Sequence, residues 1–297
     1  MSTRINPNIL PDLLLSIQRS KQSETTATEQ LASGLRVNQL SDDPSAGAAL
    51  VGNHNQTGQD DQFLQNISSL QTRLQSADSA LSNVVEVLTR AVSIGTEGAN
   101  GTLSAADRQS VAAEMQGLQS QLAGLANTIY QGTYLFAGTA VTTQPFTLDP
   151  VTGAVTYNGN AGVSSVELSS GNSIKTNVPG SQLFQNAAGD AFGALQNLNA
   201  ALLSGNNIGA AVTQVGAALS QLGTQRVFYG NALNQINLSE NFLNQDKLNL
   251  SAQENALVGA DLATVASNFA QAQTANQATL NATGRVLSLP TLLDFLR

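Results

Sequence analysis

Few residues in this chain are of a type that does chemistry, and their spacing limits what they can do. The one histidine, His54, has no cysteine anywhere in the sequence and no second histidine with which to complete a metal site. No Gly-x-Ser-x-Gly motif offers it a nucleophile to activate. Two carboxylate pairs, Asp42 with Asp43 and Asp60 with Asp61, could bring negative charge onto a cation, but each precedes a predicted helix. There an aspartate accepts hydrogen bonds from the free backbone N–H groups of the first turn. Gly95, Gly98 and Gly101 are not followed by the Gly-Lys-Ser/Thr of a phosphate loop, so they read as a turn. No convergent catalytic set can be assembled. Neither an enzyme activity, a cofactor nor a bound metal is expected, and His54 is expected at a surface or junction.

Composition narrows the class further. A chain of 297 residues that is 41% apolar can build real cores, yet only 11% is charged, against about 25% in ordinary soluble proteins. Gln, Asn, Ser and Thr take the polar positions instead, which suggests that much of the surface ends up against other protein. The net charge is −8, with lysine only at positions 21, 175 and 247. Phosphate-neutralising contacts therefore have no obvious source, and nucleic-acid binding is not expected. The absence of cysteine suits a protein that leaves the cell without oxidative folding. No apolar run approaches the ~20 residues of a membrane span. The run Ile9 to Ile17 is broken by Pro11 and Asp12 and lacks a cleavage pattern, so export is not expected to use a cleaved signal.

The elements that would carry these residues are set by proline and by a seven-residue apolar repeat. The prolines leave two free spans, 45–144 and 180–289, where long helices belong. Ile208, Val212, Val215, Leu219 and Leu222, then Leu233, Ile236, Leu243, Leu250 and Leu257, keep one face apolar through a predicted rod from Ile208 to Thr283. At Asp261 the repeat slips, continuing as Val258, Leu262, Val265, Phe269 and Ala272, which turns the stripe toward a different partner. Phe63 to Ala91 and Val111 to Ile129 carry the same repeat. They predict helices from about Gln62 to Ile94 and, opened by a Ser104/Asp107 capping box, to about Gln131. Residues 1–40 carry a sparser stripe, expected to be mobile until it finds a partner. Asp42, Asp43 and Pro44 predict a stop followed by a helix start.

From Gly132 to Phe184 the pattern changes to short segments rich in β-branched and aromatic residues, at Tyr134–Ala137, Phe146–Leu148, Ala154–Tyr157, Ser164–Leu168 and Ser173–Val178. A helix from about Asp190 to Leu203 then returns to the bundle. The expected fold is mainly α with an inserted small β domain, an elongated heptad-packed bundle with its termini together at one end. Its divisions are residues 1–50 with 275–297 as terminal helices, 51–131 with 186–274 as the bundle, and 132–185 as the β domain.

Leu31 to Leu50, LASGLRVNQLSDDPSAGAAL, resembles the N-terminal signature of the bacterial flagellin superfamily through Leu31, Gly34, Arg36, Val37, Asp42, Asp43, Ala46 and Gly47. Ser41-Asp42-Asp43-Pro44 is similar to the hook-filament junction branch of that superfamily, as are Gly132–Thr139, Val155–Asn160 and the closing Leu292-Leu293-Asp294-Phe295-Leu296. The family's usual Ile after the arginine is Val37 here, and residues 1–12 differ from the usual start. The resemblance implies a secreted structural component of the flagellum that passes through type III export and polymerises at the hook tip. Leu31, Gly34, Arg36, Val37, Asp42, Asp43 and Gly47 would form an N-terminal assembly signature. Phe269, Leu280, Leu287, Leu292, Leu293, Phe295 and Leu296 would form a C-terminal one. The implied partners are other copies of the chain, the other hook-associated junction protein, flagellin and an export chaperone. A short filament flagellin is the alternative within the family. A secreted amphipathic coiled-coil protein acting on membranes is the alternative outside it, although the few basic residues argue against anionic lipids.

Overall fold

The computed structural model describes residues 9–101, 104–149 and 152–287, with the side chains of Ile9, Leu10, Val286 and Leu287 outside that description. The described chain is mainly helical, with helices α1 (Ile9–Ser33), α2 (Pro44–Ala99), α3 (Ala105–Ala126), α4 (Gly180–Phe184), α5 (Ala191–Ser204), α6 (Ile208–Val258) and α7 (Leu262–Leu287). Between α3 and α5 the described residues form eight short strands, β1 to β8. They form four separate antiparallel pairs: Ile129–Tyr130 with Thr133–Tyr134, Phe146–Leu148 with Val155–Tyr157, Ser165–Ser169 with Asn172–Lys175, and Gln185–Asn186 with Gly189–Asp190. The chain divides into two compact units, Gln59–Gln245 and the combination of Met1–Gly58 with Asp246–Arg297. Residues 132–185 do not separate as a third.

In the unit Gln59–Gln245 the apolar repeat does what its spacing predicts. Ile67, Leu70, Leu74, Leu81, Val84 and Leu88 of α2 are buried together with Met115 and Leu122 of α3 and Val215, Leu222, Ile236 and Leu243 of α6. Each such side chain contributes about 1.5–3 kcal/mol by leaving water. Two ion pairs sit on the outside of this core, Arg226 to Asp78 at 3.0 and 3.1 Å and Arg90 to Glu114 at 2.9 and 2.7 Å. Tyr229 is fully buried in it, and burial raises its phenol far above the usual range, with the Val178 backbone as its hydrogen-bonding partner.

The strand pairs are too short to be stable alone. Phe146 of the second pair joins them to the core of the helices, in a cluster with Phe184 of α4, Phe192 of α5 and the loop residue Phe136 whose neighbouring ring centroids lie 5.1–6.1 Å apart in edge and tilted contacts. Asn127 makes the change from helix to strand: it ends α3, donates to the Phe146 carbonyl at 2.8 Å and accepts from the Phe146 N–H at 2.9 Å. The helix thus stops at Ala126 rather than near Gln131.

Three further expectations are corrected. Helix α2 starts at Pro44, not near Gln62, so Asp60 and Asp61 lie inside it and do not cap its start; Asp60 is buried. Residues 45–61 lack an apolar seam, but they contain no proline and have a capped start, and the helix carries on through them. Gly95 and Gly98 belong to α2 rather than to a turn. A Cβ at Gly95 would collide with Val212 and Leu198, and one at Gly98 with Leu202, so these glycines let α5 and α6 approach the α2 backbone. The rod from Ile208 is also not continuous. It ends at Val258, and a new helix starts at Leu262, at the place where the repeat slips.

In the other unit α1 packs along α7. The contact buries little: Ala27, Val265 and Ala272 are covered, and Asn276 donates to Glu24 at 2.6 Å. Leu14, Leu15 and Leu280 stay exposed. A second small core, Val37, Ala46 and Val258 flanked by Leu50 and Leu257, lies where α2 begins and α6 ends.

Candidate functional site

The signature segment Leu31–Gly47 builds a joint. Helix α1 ends because Gly34 takes φ +71°, a left-handed conformation that other residues reach only with strain, while its N–H closes on the Gln30 carbonyl at 2.9 Å. The next residues run antiparallel to the break between α6 and α7: the Arg36 N–H donates to the Val258 carbonyl at 2.7 Å, and the Ala260 N–H donates to the Gly34 carbonyl at 3.0 Å. Two helix breaks, more than two hundred residues apart in sequence, thus satisfy each other's backbone groups.

This bridge delivers Arg36 to the end of α6. Its Nη2 donates to the Leu257 carbonyl at 2.7 Å and to Asp43 Oδ2 at 3.2 Å. The last carbonyls of a helix lack internal partners and carry partial negative charge, so a cation belongs there. Asp43 turns its other oxygen to the start of α2, accepting from the Ala46 N–H at 3.0 Å with Pro44 as the first helical residue. The Ala46 N–H, then the Arg36 guanidinium, hold the Asp43 carboxyl below its usual range. Arg36 and Asp43 together join the C-terminus of one helix to the N-terminus of another.

The surrounding residues hold this pair in place. Asp42 Oδ2 accepts from the N–H groups of Asn38 and Gln39 at 3.0 and 2.9 Å, which folds the loop that returns the chain to α2. Gln30 donates to the Arg36 carbonyl at 3.0 Å. Val37 is buried against Ala46 and Val258, and a Cβ at Gly47 would meet the Leu40 side chain. Asp261 starts α7 by accepting from the Ala263 N–H at 3.0 Å and the Thr264 hydroxyl at 2.9 Å, and the Thr264 hydroxyl is the main cause of its lowered pKa. His54 Nε2 lies 3.2 Å from Glu254 Oε1 on the surface of the same unit. Among the described residues no three His, Cys, Asp or Glu side chains converge as metal ligands. The arrangement positions helix ends relative to one another.

A second joint lies in the other unit. Asn160 Oδ1 accepts from the Thr139 and Gly162 N–H groups at 2.8 and 3.0 Å, the Asn160 N–H donates to the Ala137 carbonyl at 3.1 Å, and the Tyr157 hydroxyl donates to the Phe136 carbonyl at 3.1 Å. Gly138, at φ +73°, leaves no room for a Cβ beside Asn160. The segments 132–139 and 155–160 therefore bind each other.

Residues 5–141 match the bacterial flagellin N-terminal helical region and residues 207–296 the C-terminal helical region. The chain belongs to the bacterial flagellin family. Within it, flagellar hook-associated protein 3 of Salmonella typhimurium is 28% identical over 84% of this chain and 86% of its own length. Flagellin of Listeria monocytogenes is 38% identical, but over 31% of this chain and 32% of its own. The fold is similar to that of the flagellar junction protein FlgL from Legionella pneumophila, with a TM-score of 0.61 at 18% identity over 71% of this chain and all of that one. In this member of the flagellin family no described helix is long and apolar enough to cross a membrane.

The structure brings Gly34, Arg36, Val37, Asp42, Asp43 and Gly47 together in one joint, and leaves Leu31 exposed on the last turn of α1. Phe269 is half-buried and Leu280 exposed on α7; Leu287 is that helix's last residue, and Leu292, Leu293, Phe295 and Leu296 lie outside the described residues. Sequence reasoning missed the other half of the joint, Leu257 to Asp261. The slip in the repeat at Asp261 was its signal, and Gly259 next to it marks a break rather than a mere rotation of the stripe.

Proposed function

We propose that this chain is a structural adaptor of the flagellum, polymerising at the hook tip to join hook and filament. The observation that carries the reading is the relation to hook-associated protein 3 along most of both chains, where the likeness to flagellin spans less than a third. The joint around Arg36 supports it physically. It lies at the junction of α1 and α7, a helix pair whose apolar residues Leu14, Leu15, Leu31 and Leu280 are exposed. In this reading the signature residues Leu31, Gly34, Arg36, Val37, Asp42, Asp43 and Gly47 set the geometry of that pair. Phe269, Leu280, Leu287, Leu292, Leu293, Phe295 and Leu296 present the surface that neighbouring copies cover. The adaptor contacts the other junction protein on the hook side and flagellin on the filament side, after an export chaperone has held its C-terminal region, and it carries no catalysis.

Deleting the gene is expected to leave hooks without filaments while flagellin is released to the medium; normal filaments in the deletion strain would refute the reading. The flagellin likeness over 31% of the chain keeps a short filament flagellin as the second reading. Cellular abundance separates the two, because a filament consumes far more copies than one ring.

A further inference from the structure

We propose that Asn100 is a site of spontaneous covalent modification, converting to aspartate and isoaspartate, and that the fold withholds the same reaction from Asn158. The sequence has two Asn-Gly pairs, Asn100-Gly101 and Asn158-Gly159. In such a pair the glycine nitrogen can attack the asparagine side chain, because glycine has no Cβ to hinder the approach. Water is the one co-reactant. The glycine nitrogen gives its proton to solvent and bonds to the asparagine Cγ, the Cγ–Nδ2 bond breaks, and the amide nitrogen takes up a proton and leaves as ammonia. Water then opens the resulting imide ring at either carbonyl. One opening gives aspartate; the other gives isoaspartate, whose main chain runs through Cβ and is one carbon longer. No electrons are exchanged, and each product adds a negative charge.

Both asparagines are exposed, so access to water does not separate the two pairs. What separates them is freedom to reach the attacking geometry, in which the reacting atoms approach within about 3.5 Å. Asn158 is held by its side chain and its backbone: Nδ2 donates to Thr147 Oγ1 at 3.0 Å, and its N–H donates to the Pro145 carbonyl at 2.7 Å. The next residue, Gly159, is wedged so closely that a Cβ there would strike the Tyr157 ring and the Ala137 carbonyl. On either side the Tyr157 hydroxyl and the Asn160 side chain are themselves bonded, to the Phe136 carbonyl and the Thr139 N–H. Turning the Asn158 side chain back onto Gly159 would break several of these contacts at once.

Asn100 has no comparable hold. It follows Ala99, the last residue of α2, and its N–H makes a long bond of 3.3 Å to the Glu97 carbonyl. Among the described residues no hydrogen bond from its side chain or from the Gly101 N–H is found, and no atom lies within 4 Å of where a Cβ on Gly101 would be. Gly101 takes φ +70°, the left-handed turn with which helices commonly end. Ending α2 thus selects the glycine that makes its neighbour reactive. The product sits beside helix carbonyls that lack internal partners and carry partial negative charge, so a new carboxylate opposes the helix end. Isoaspartate also displaces the N–H bonded to Glu97. The connection from α2 to α3 therefore loosens as a copy ages.

The test incubates the purified full chain at physiological temperature and mildly alkaline pH, folded and in guanidinium chloride, and follows both sites by tryptic digestion and mass spectrometry. Arg90 and Arg108 flank Asn100, whereas Asn158 lies between Arg108 and Lys175, so the two sites fall in different peptides. In the folded chain Asn100 is expected to convert roughly tenfold faster than Asn158 or more, since Asn158 must wait for local opening, and aspartate and isoaspartate peptides should appear as two peaks of one mass. In guanidinium the two rates should converge, which assigns the difference to the fold. Asn100→Gln, whose longer side chain cannot close the same ring, should leave that peptide unconverted. Conversion of Asn158 as fast as Asn100 in the folded chain, or a difference that persists in guanidinium, would overturn the protection by the fold. An unconverted Asn100 in the folded chain, with conversion in guanidinium, would overturn the site itself.

Discussion

The two units of this chain are held by different forces. In Gln59–Gln245 one continuous apolar core takes in α2, α3, α5, α6 and the strand pairs, and its hydrogen bonds refine what burial already holds. In the terminal unit the apolar burial is sparse: Val37, Ala46 and Val258 form one small cluster with Leu50 and Leu257 at its edge, and Ala27, Val265 and Ala272 are covered elsewhere. What defines the unit is backbone pairing between Gly34–Arg36 and Val258–Ala260, a guanidinium at a helix end and aspartates at helix starts. Burial is insensitive to small shifts of charge. Exposed hydrogen bonds are open to competition from water, and the regions they hold open at low free energy. Burial and exposed hydrogen bonding are thereby separated along one chain.

The largest test of this contrast is in the core. Phe146→Ala removes a fully buried ring that touches Tyr157, Phe184 and Phe192 and is expected to cost about 3–5 kcal/mol. Urea unfolding followed by circular dichroism measures it. A loss below about 1 kcal/mol would mean that the strand pairs are not part of the helical core. Gly98→Val is expected to cost less, about 1–3 kcal/mol, because Leu202, which the new side chain would strike, presents the end of a flexible side chain rather than backbone. Restoration of stability by adding Leu202→Ala would identify the contact, and no restoration would place the cost in helix propensity.

What could be read from the sequence follows the same division. The core was legible because burial imposes a period: Leu74, Leu81, Leu88 and Leu222, Ile236, Leu243 fell where a repeat of seven placed them. The capping box at Ser104 and Asp107 was legible because it is local, and both hydrogen bonds are present. The joint was half legible. Asp43 and Pro44 announce a helix start on their own, but Arg36 acquires its role from the Leu257 carbonyl, and a backbone group leaves no mark in side-chain pattern. The start of α2 is hidden because residues 45–61 have no apolar period, and the glycines at 95 and 98 are ambiguous because close packing and turning both select glycine.

A smaller effect is expected at the joint. Arg36→Gln keeps a donor but removes the charge at the end of α6, and Arg36→Lys keeps the charge but cannot reach the Leu257 carbonyl and Asp43 with the same planar fork. In both variants the Arg36-position and Ala260 amides should exchange roughly tenfold faster or more, while urea unfolding of the core should not change. Unaltered exchange at Ala260 would show that the backbone bridge does not depend on the guanidinium. The exchange map of the parent protein adds a check, with α1 and α7 expected to exchange much faster than the buried parts of α2 and α6.

The smallest effect, and the one that separates the two forces most cleanly, is that of acid. Asp43 has its pKa lowered by the Ala46 N–H and by Arg36, and Asp261 by Thr264. A carboxylate whose folded pKa lies below its unfolded value stabilises the fold fully above the unfolded value, about 3.9 for aspartate, and loses that contribution as pH falls through the folded value. Protection of the Ala46, Ala263 and Ala260 amides should therefore hold from neutrality down to about pH 5 and decline below about pH 4. Asp107, lowered by Ser104, caps α3 in the other unit and should lose its hold over the same range. The amides of Leu74, Leu81 and Leu88 rest on burial and have no reason to follow. Exchange measured residue by residue at pH 5 and pH 3, corrected for intrinsic rates, would show loss at the helix starts with the core unchanged. Loss of core protection at pH 3 in step with Ala260 would mean that the two units open together, and the contrast between them would fail.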